Sequence, residues 1–156
     1  MIHVMASSII PASVASVWGV IRDFGALGSW LPGVKSCVIE SDDPGDRVGA
    51  IRCLEMGDVG FIREQLLALS DVDHAVTFSI IESALPIQNY RSTISLLPIT
   101  ATNGTFIQWR GQFEAPAEHA ASMEARMPTH IYQPAFDKLV AILASSPVPH
   151  TTVTAT

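Results

Sequence analysis

Arg52 and Glu64 are charged residues set inside alternating apolar stretches, Val48-Gly49-Ala50-Ile51-Arg52-Cys53-Leu54 and Phe61-Ile62-Arg63-Glu64-Gln65-Leu66-Leu67. The turn signal Gly57-Asp58-Val59-Gly60 lies between them, and each stands six positions from its centre near residue 58. A hairpin there makes them directly opposed cross-strand neighbours on one face. The same arithmetic around Pro86 pairs Glu82 with Tyr90, each four positions away. On a solvent-facing surface an opposed Arg and Glu form a weak pair, whereas on a buried, concave face they become polar anchors inside a pocket. A carboxylate in apolar surroundings has a raised pKa and exchanges a proton near neutrality, while Arg or Tyr stabilises the oxygen of a developing enolate. Such a set suits aldol-type cyclisation, dehydration or proton abstraction beside a carbonyl.

The elements that must hold these residues follow from periodicity. Residues 2 to 10 read as a strand that stops at Pro11, and Pro11-Ala12-Ser13 opens a helix in which Val14, Val17, Trp18 and Ile21 recur at helical spacing. A second short helical piece covers 24 to 30, and Trp18 and Trp30 read as packing for the two. From 34 onward period-two segments alternate with Gly, Pro, Asn and Asp turns, predicting six strands at 34–41, 47–55, 60–70, 74–84, 87–98 and 104–114. The last element is a helix from Pro116 to about Ala144, with Met123, Met127, Ile131 and Ala135 on one face and Tyr132, Phe136, Leu139 and Leu143 beside it. Pro128 and Pro134 lie inside it and remove hydrogen bonds to the carbonyls of Glu124 and His130, so a kink or break is expected. The tail from Ser145 is rich in Pro, Ser and Thr and reads as disordered.

Composition excludes several classes of function. At 156 residues and 48% hydrophobic content the chain fits one domain with a sizeable core. No apolar stretch approaches the roughly 18 residues of a membrane span. The amino terminus lacks the basic start, long apolar segment and small-residue cleavage site of a secretion signal, so a cytoplasmic location is expected. Net charge is −6 with 9 scattered Lys and Arg, which is not the footprint of a nucleic-acid binder. Cys37 and Cys53 are read as free thiols on neighbouring strands.

His119 and His130 share a helical face but stand about 16 Å apart along the axis, too far to share a metal. His3, His74 and His150 have no spaced partners, so no metal site and no cofactor is read. Gly28-Ser29-Trp30-Leu31-Pro32-Gly33-Val34-Lys35-Ser36 has the outline of a phosphate loop but lacks its Gly-Lys dipeptide. Asn103-Gly104-Thr105 is a glycosylation sequon better explained as a hairpin turn.

One strand, two short helices, six antiparallel strands and a long carboxy-terminal helix make an α+β, helix-grip layout, a curved sheet wrapped around the final helix. Val17-Trp18 with Asp23-Phe24 and Trp30-Leu31-Pro32-Gly33-Val34 begin a series of matching residues. It continues with Val48-Gly49 and Arg52, Arg63-Glu64 and Leu66, Ile81-Glu82-Ser83 with Leu85-Pro86 and Asn89-Tyr90, and Trp109 with Phe113. In order and spacing the series resembles the polyketide cyclase/dehydrase-like branch of the START/Bet v1-like (SRPBCC) superfamily, over about residues 2 to 144. The resemblance implies a single domain over 1–144, a curved antiparallel seven-stranded sheet and a hydrophobic internal cavity.

With such a cavity, strand and helix alternation sets Phe78, Ile80, Ile94, Trp109, Phe113, Met123 and Met127 along its wall as substrate-binding residues, and Arg52, Glu64, Glu82 and Tyr90 as its polar, catalytic groups. The resemblance then implies a cyclase or dehydratase, a lyase or isomerase in type, acting on a hydrophobic polyketide-like or related natural-product intermediate. Arg52 would bind or polarise a carbonyl, Glu64 or Glu82 would move the proton, and Tyr90 would donate a hydrogen bond. Other readings stay open: a non-catalytic binder or carrier of a hydrophobic small molecule, an Arg52–Glu64 pair that only fixes strand register, and a protein-interaction module with an exposed apolar patch. A homodimer is left open as the assembly.

Overall fold

Alternation of exposed and buried side chains along Ile2–Ile10 makes this segment strand β1, at one edge of a seven-stranded antiparallel sheet. The computed structural model describes residues 1–144; the predicted disordered tail lies outside the described residues. After β1 come α1 (Val14–Ile21), a 3-10 segment (Phe24–Ser29), β2 (Val34–Ile39), β3 (Ile51–Met56), β4 (Gly60–Ser70), β5 (Ala75–Glu82), β6 (Gln88–Ile99) and β7 (Gly104–Glu114). The carboxy-terminal helix then runs as α2 (Ala117–Arg126), a π-helical turn (Met127–Tyr132) and α3 (Gln133–Ala144). The sheet order β1-β7-β6-β5-β4-β3-β2 is a meander closed by β1, so α1 and the 3-10 segment carry the chain from one sheet edge to the other.

Local chemistry explains these boundaries. Ser13 caps α1, its Oγ accepting the Ser16 N–H at 3.2 Å, and Val17, Trp18 and Ile21 form the buried stripe. Residues 40–41 and 47–50, expected as strand ends flanking a turn, fall outside β2 and β3: Ser41 and Gly49 take positive φ of 60° and 95°, which regular strand pairing does not accommodate. The core sits between the concave sheet face and the helix, and Trp109 is its hub. Phe78, Trp30, Phe136 and Tyr132 surround that indole, with ring centroids from 6.4 Å down to 4.2 Å.

The two helix prolines widen the helix rather than break it. Neither ring nitrogen can donate, and between them Gln133 N–H reaches five residues back to the Pro128 carbonyl. Residues five apart on an ordinary α-helix point about 140° away from each other. The π turn brings Met127 and Tyr132, five apart, into the core together, with 5% and 0% exposure.

One strand changes face. Ile80 of β5 opposes Glu64 of β4, and Glu82 opposes Arg63, so Ile81 is an extra residue between them. This bulge reverses the alternation that would have turned Glu82 inward. Glu82 is therefore exposed on the convex side, contrary to the expectation that it faces a cavity with Tyr90. The β5–β6 ladder also has a different register from the one assumed around Pro86, with Ser79 opposite Arg91 as its last pair.

Candidate functional site

Between the concave sheet face and the carboxy-terminal helix lies a cavity of about 410 Å³. Of the residues singled out in the sequence, Arg52, Glu64, Phe78, Ile80, Tyr90, Trp109, Met123 and Met127 lie on its wall. Ile94 and Phe113, also expected on its wall, are buried in the core and do not line it. Alternation put them on the correct sheet face but could not give their depth. Leu27 and Leu31 from the 3-10 region, Leu54 of β3 and Ile62 of β4 supply much of the apolar surface instead. The mouth is formed by Asp58 and Val59 of the β3–β4 turn, Leu85 and Pro86 of the β5–β6 connection, and His119, Ser122, Arg126 and His130 of the helix.

Arg52 and Glu64 are directly opposed, with 3% and 6% exposure. Arg52 Nε donates to Glu64 Oε2 at 2.6 Å, Nη2 lies 2.6 Å from the same oxygen, and Nη1 donates to the Phe24 carbonyl at 3.0 Å. The guanidinium carbon lies 3.9 Å from the Phe24 ring centroid and 4.7 Å from that of Phe78. Cation–π contact and the paired carboxylate together offset the desolvation of the buried charge. Nη2 makes no aligned hydrogen bond and both contacts to Glu64 fall on Oε2, so the pair is matched in charge and held in place without being saturated in hydrogen bonds.

A second polar centre joins β6 to the π turn. The hydroxyls of Tyr90 and Tyr132 lie 2.7 Å apart, and Tyr132 stacks on Trp109 at 4.2 Å with a 10° interplanar angle. Burial pushes the Tyr90 phenol up to about 12, against the opposing pull of the Ser92 and Tyr132 hydroxyls and the Trp109 indole, with the Glu64 charge raising it further. The Ser92 hydroxyl and the Trp109 indole nitrogen are buried without an aligned hydrogen bond. Tyr132 is also pushed up, by burial first and then by Tyr90. Both phenols are protonated near neutral pH; one donates to the other, and the accepting hydroxyl keeps its own proton for a further partner.

Gly111 makes this centre possible, because a Cβ there would collide with the Tyr132 hydroxyl. Sequence reasoning placed Tyr132 beside the helix face as packing and missed its polar role. The available signal was Gly111 itself, since a glycine inside a strand marks close approach.

Outside the cavity, Glu82 joins a surface cluster. Arg63 Nη1 donates to Glu82 at 2.9 Å, while its Nε and Nη2 fork onto Glu40 at 2.6 and 2.8 Å. Those bonds to Arg63 hold the Glu40 carboxyl below its usual range. The cysteines are free, and because Cys37 opposes Leu54 while Cys53 opposes Val38, they point to opposite faces of the sheet. Among the described residues no three His, Cys, Asp or Glu side chains converge on a metal position, and no helix is long and apolar enough to cross a membrane.

A curved antiparallel sheet gripping a carboxy-terminal helix defines a START/Bet v1-like fold. The chain belongs to the polyketide cyclase / dehydrase and lipid transport family, which matches residues 1–144. Among solved structures it is similar to XoxI from Bacillus cereus, at 29% identity over 93% of this chain and 97% of that one, with a TM-score of 0.79. A protein from Nitrosospira multiformis is likewise 29% identical, over 92% and 97% of the two chains, with a TM-score of 0.74. Norcoclaurine synthase from Thalictrum flavum, solved with dopamine and hydroxybenzaldehyde, shares the fold at 18% identity, 94% and 88% coverage and a TM-score of 0.74.

Proposed function

We propose that the protein is a binder or carrier of a hydrophobic small molecule that carries a carbonyl or hydroxyl oxygen. The apolar body would lie against Leu54, Ile62, Phe78 and Met127, with the oxygen directed to the Tyr90–Tyr132 centre. The observation that carries this reading is the engagement of Arg52 and Glu64 with each other and with Phe24, which makes them a fixed part of the wall. A catalytic base would need its charge free to take up a proton, whereas the Glu64 carboxylate lies against a guanidinium that is always charged.

Organic extraction of the protein purified from its own host, followed by mass spectrometry, should yield about one bound apolar compound per chain. The purified protein should also bind a fluorescent apolar probe, and Leu54→Trp, which fills the cavity, should abolish that binding. The reading is wrong if nothing is extracted and the probe binds the filled variant equally well.

A second reading, cyclase-type catalysis, is favoured by one specific observation. Glu64 and the protonated Tyr90 line the same cavity, and proton abstraction beside a carbonyl needs both a base and a donor. Turnover of an aromatic polyketone that survives in Glu64→Gln would remove it.

A further inference from the structure

We propose that the convex face of the sheet carries a second ligand site, an oxyanion site for the phosphate group of a small soluble molecule, built on Arg91 and Arg110. Arg91 of β6 opposes Gln112 of β7, and Arg110 of β7 opposes Thr93 of β6. On the other side of β7, His3 of β1 opposes Gln112 and Met5 opposes Arg110. Arg91 and Arg110 are therefore diagonal neighbours on one face, with backbones roughly 7–8 Å apart, and His3 flanks them. An open groove of about 570 Å³ runs over these side chains and also takes in Ser95 and Gln108.

The charge distribution is the opposite of what the chain's composition favours. Acidic residues outnumber Lys and Arg by 15 to 9. Arg22, Arg47, Arg52 and Arg63 each have a carboxylate oxygen within 3.2 Å. Among the described residues Arg91 and Arg110 have no ion pair and no side-chain hydrogen bond, and no carboxylate lines their groove. The one acidic side chain on β1, β6 or β7 is Glu114, at the end of β7 and bonded to Asn89.

Two like charges on neighbouring strands repel each other. An anion between them removes that repulsion and gains forked, charge-assisted hydrogen bonds. Gln108, Gln112, Thr93 and Ser95 add neutral polar groups around the same point. A phosphate group, with three acceptor oxygens and up to two charges, matches two guanidiniums more fully than one carboxylate does. The site is separate from the cavity, because the sheet lies between them.

The test titrates inorganic phosphate and pyrophosphate into isotope-labelled full-length protein at constant ionic strength, following backbone amide and arginine Nε–H signals. Saturable shifts should centre on His3, Arg91, Arg110 and Gln112, with affinity about tenfold weaker in Arg91→Gln or Arg110→Gln, as loss of one charge-assisted bond implies. Both variants should retain the fold and full binding of an apolar probe in the cavity, a readout independent of this site. Shifts that do not saturate, that chloride reproduces, or that survive both substitutions would overturn the proposal. A response to an acidic peptide with none to phosphate or pyrophosphate would overturn it equally.

Discussion

Arg63 and Glu64 are adjacent on β4, yet they belong to two ion-pair systems on opposite faces of the sheet. Arg63 reaches two carboxylates, Glu40 and Glu82, by three hydrogen bonds in contact with solvent. Glu64 pairs with Arg52 alone, sealed beneath Phe24 and Phe78. The surface system has more bonds, but water can replace each of them when it opens. The buried pair has no such replacement, so each partner depends on the other. The pleat of one strand has thus given similar chemistry a minor role on one side and a structural role beside the cavity on the other.

Removing Arg52 should break the comparison most severely. Arg52→Ala leaves the Glu64 carboxylate buried without its counter-charge, and stability should fall by about 3–5 kcal/mol, read from the urea unfolding midpoint. The double variant Arg52→Met with Glu64→Leu removes both charges and should recover most of that loss, since apolar replacement of a buried pair is often near neutral. If the single change costs no more than a surface change does, the buried pair has no special role and the distinction between the two faces fails.

The next effect sharpens what the cavity side requires. Gly111→Ala forces the Tyr132 hydroxyl away from its seat and should cost about 1–3 kcal/mol by overpacking. Tyr132→Phe leaves the backbone undisturbed and should cost about 1 kcal/mol for the lost hydrogen bond.

The chain's 2 tyrosines are both in this centre, so tyrosinate absorbance reports on it alone. Tyr90 titrates at about 12 in the fold against 10.0 for the unperturbed group. A raised folded value means its stabilising contribution is complete below the unfolded value and is lost as pH rises from there toward the folded one. Native protein should show little tyrosinate before pH-induced unfolding, and Tyr90→Phe should flatten the alkaline loss of stability.

How much of this was legible in the sequence depended on the local geometry of each element. The Arg52–Glu64 hairpin was readable because a short turn fixes its register and no bulge intervenes before residue 64. Glu82 was misplaced because the extra residue Ile81 is accommodated by the curvature of the assembled sheet, which period-two alternation does not encode. Ile94 and Phe113 shared a face with true lining residues, and only depth in the folded core separates them from the cavity. The prolines announced an irregular helix, but that it would take π geometry and carry Tyr132 to Tyr90 depended on packing against Gly111. Arg91 and Arg110 looked like scattered surface charge until strand pairing placed them side by side.

The smallest effect belongs to the surface cluster. Glu82→Gln removes one of two carboxylates from an arginine that still forks onto Glu40, so its unfolding midpoint should shift less than that of any variant above. The residual difference should close in roughly 1 M salt, where the Debye length is about 3 Å and exposed charges are screened. Arg52→Ala should keep its deficit under the same conditions, because salt does not enter the buried pair. Binding of an apolar probe should be unchanged in Glu82→Gln, since that side chain points away from the cavity. A Glu82→Gln protein that lost probe binding while keeping its fold would show that the two faces of β4 are coupled, and that the strand does not divide a solvated cluster from a ligand site.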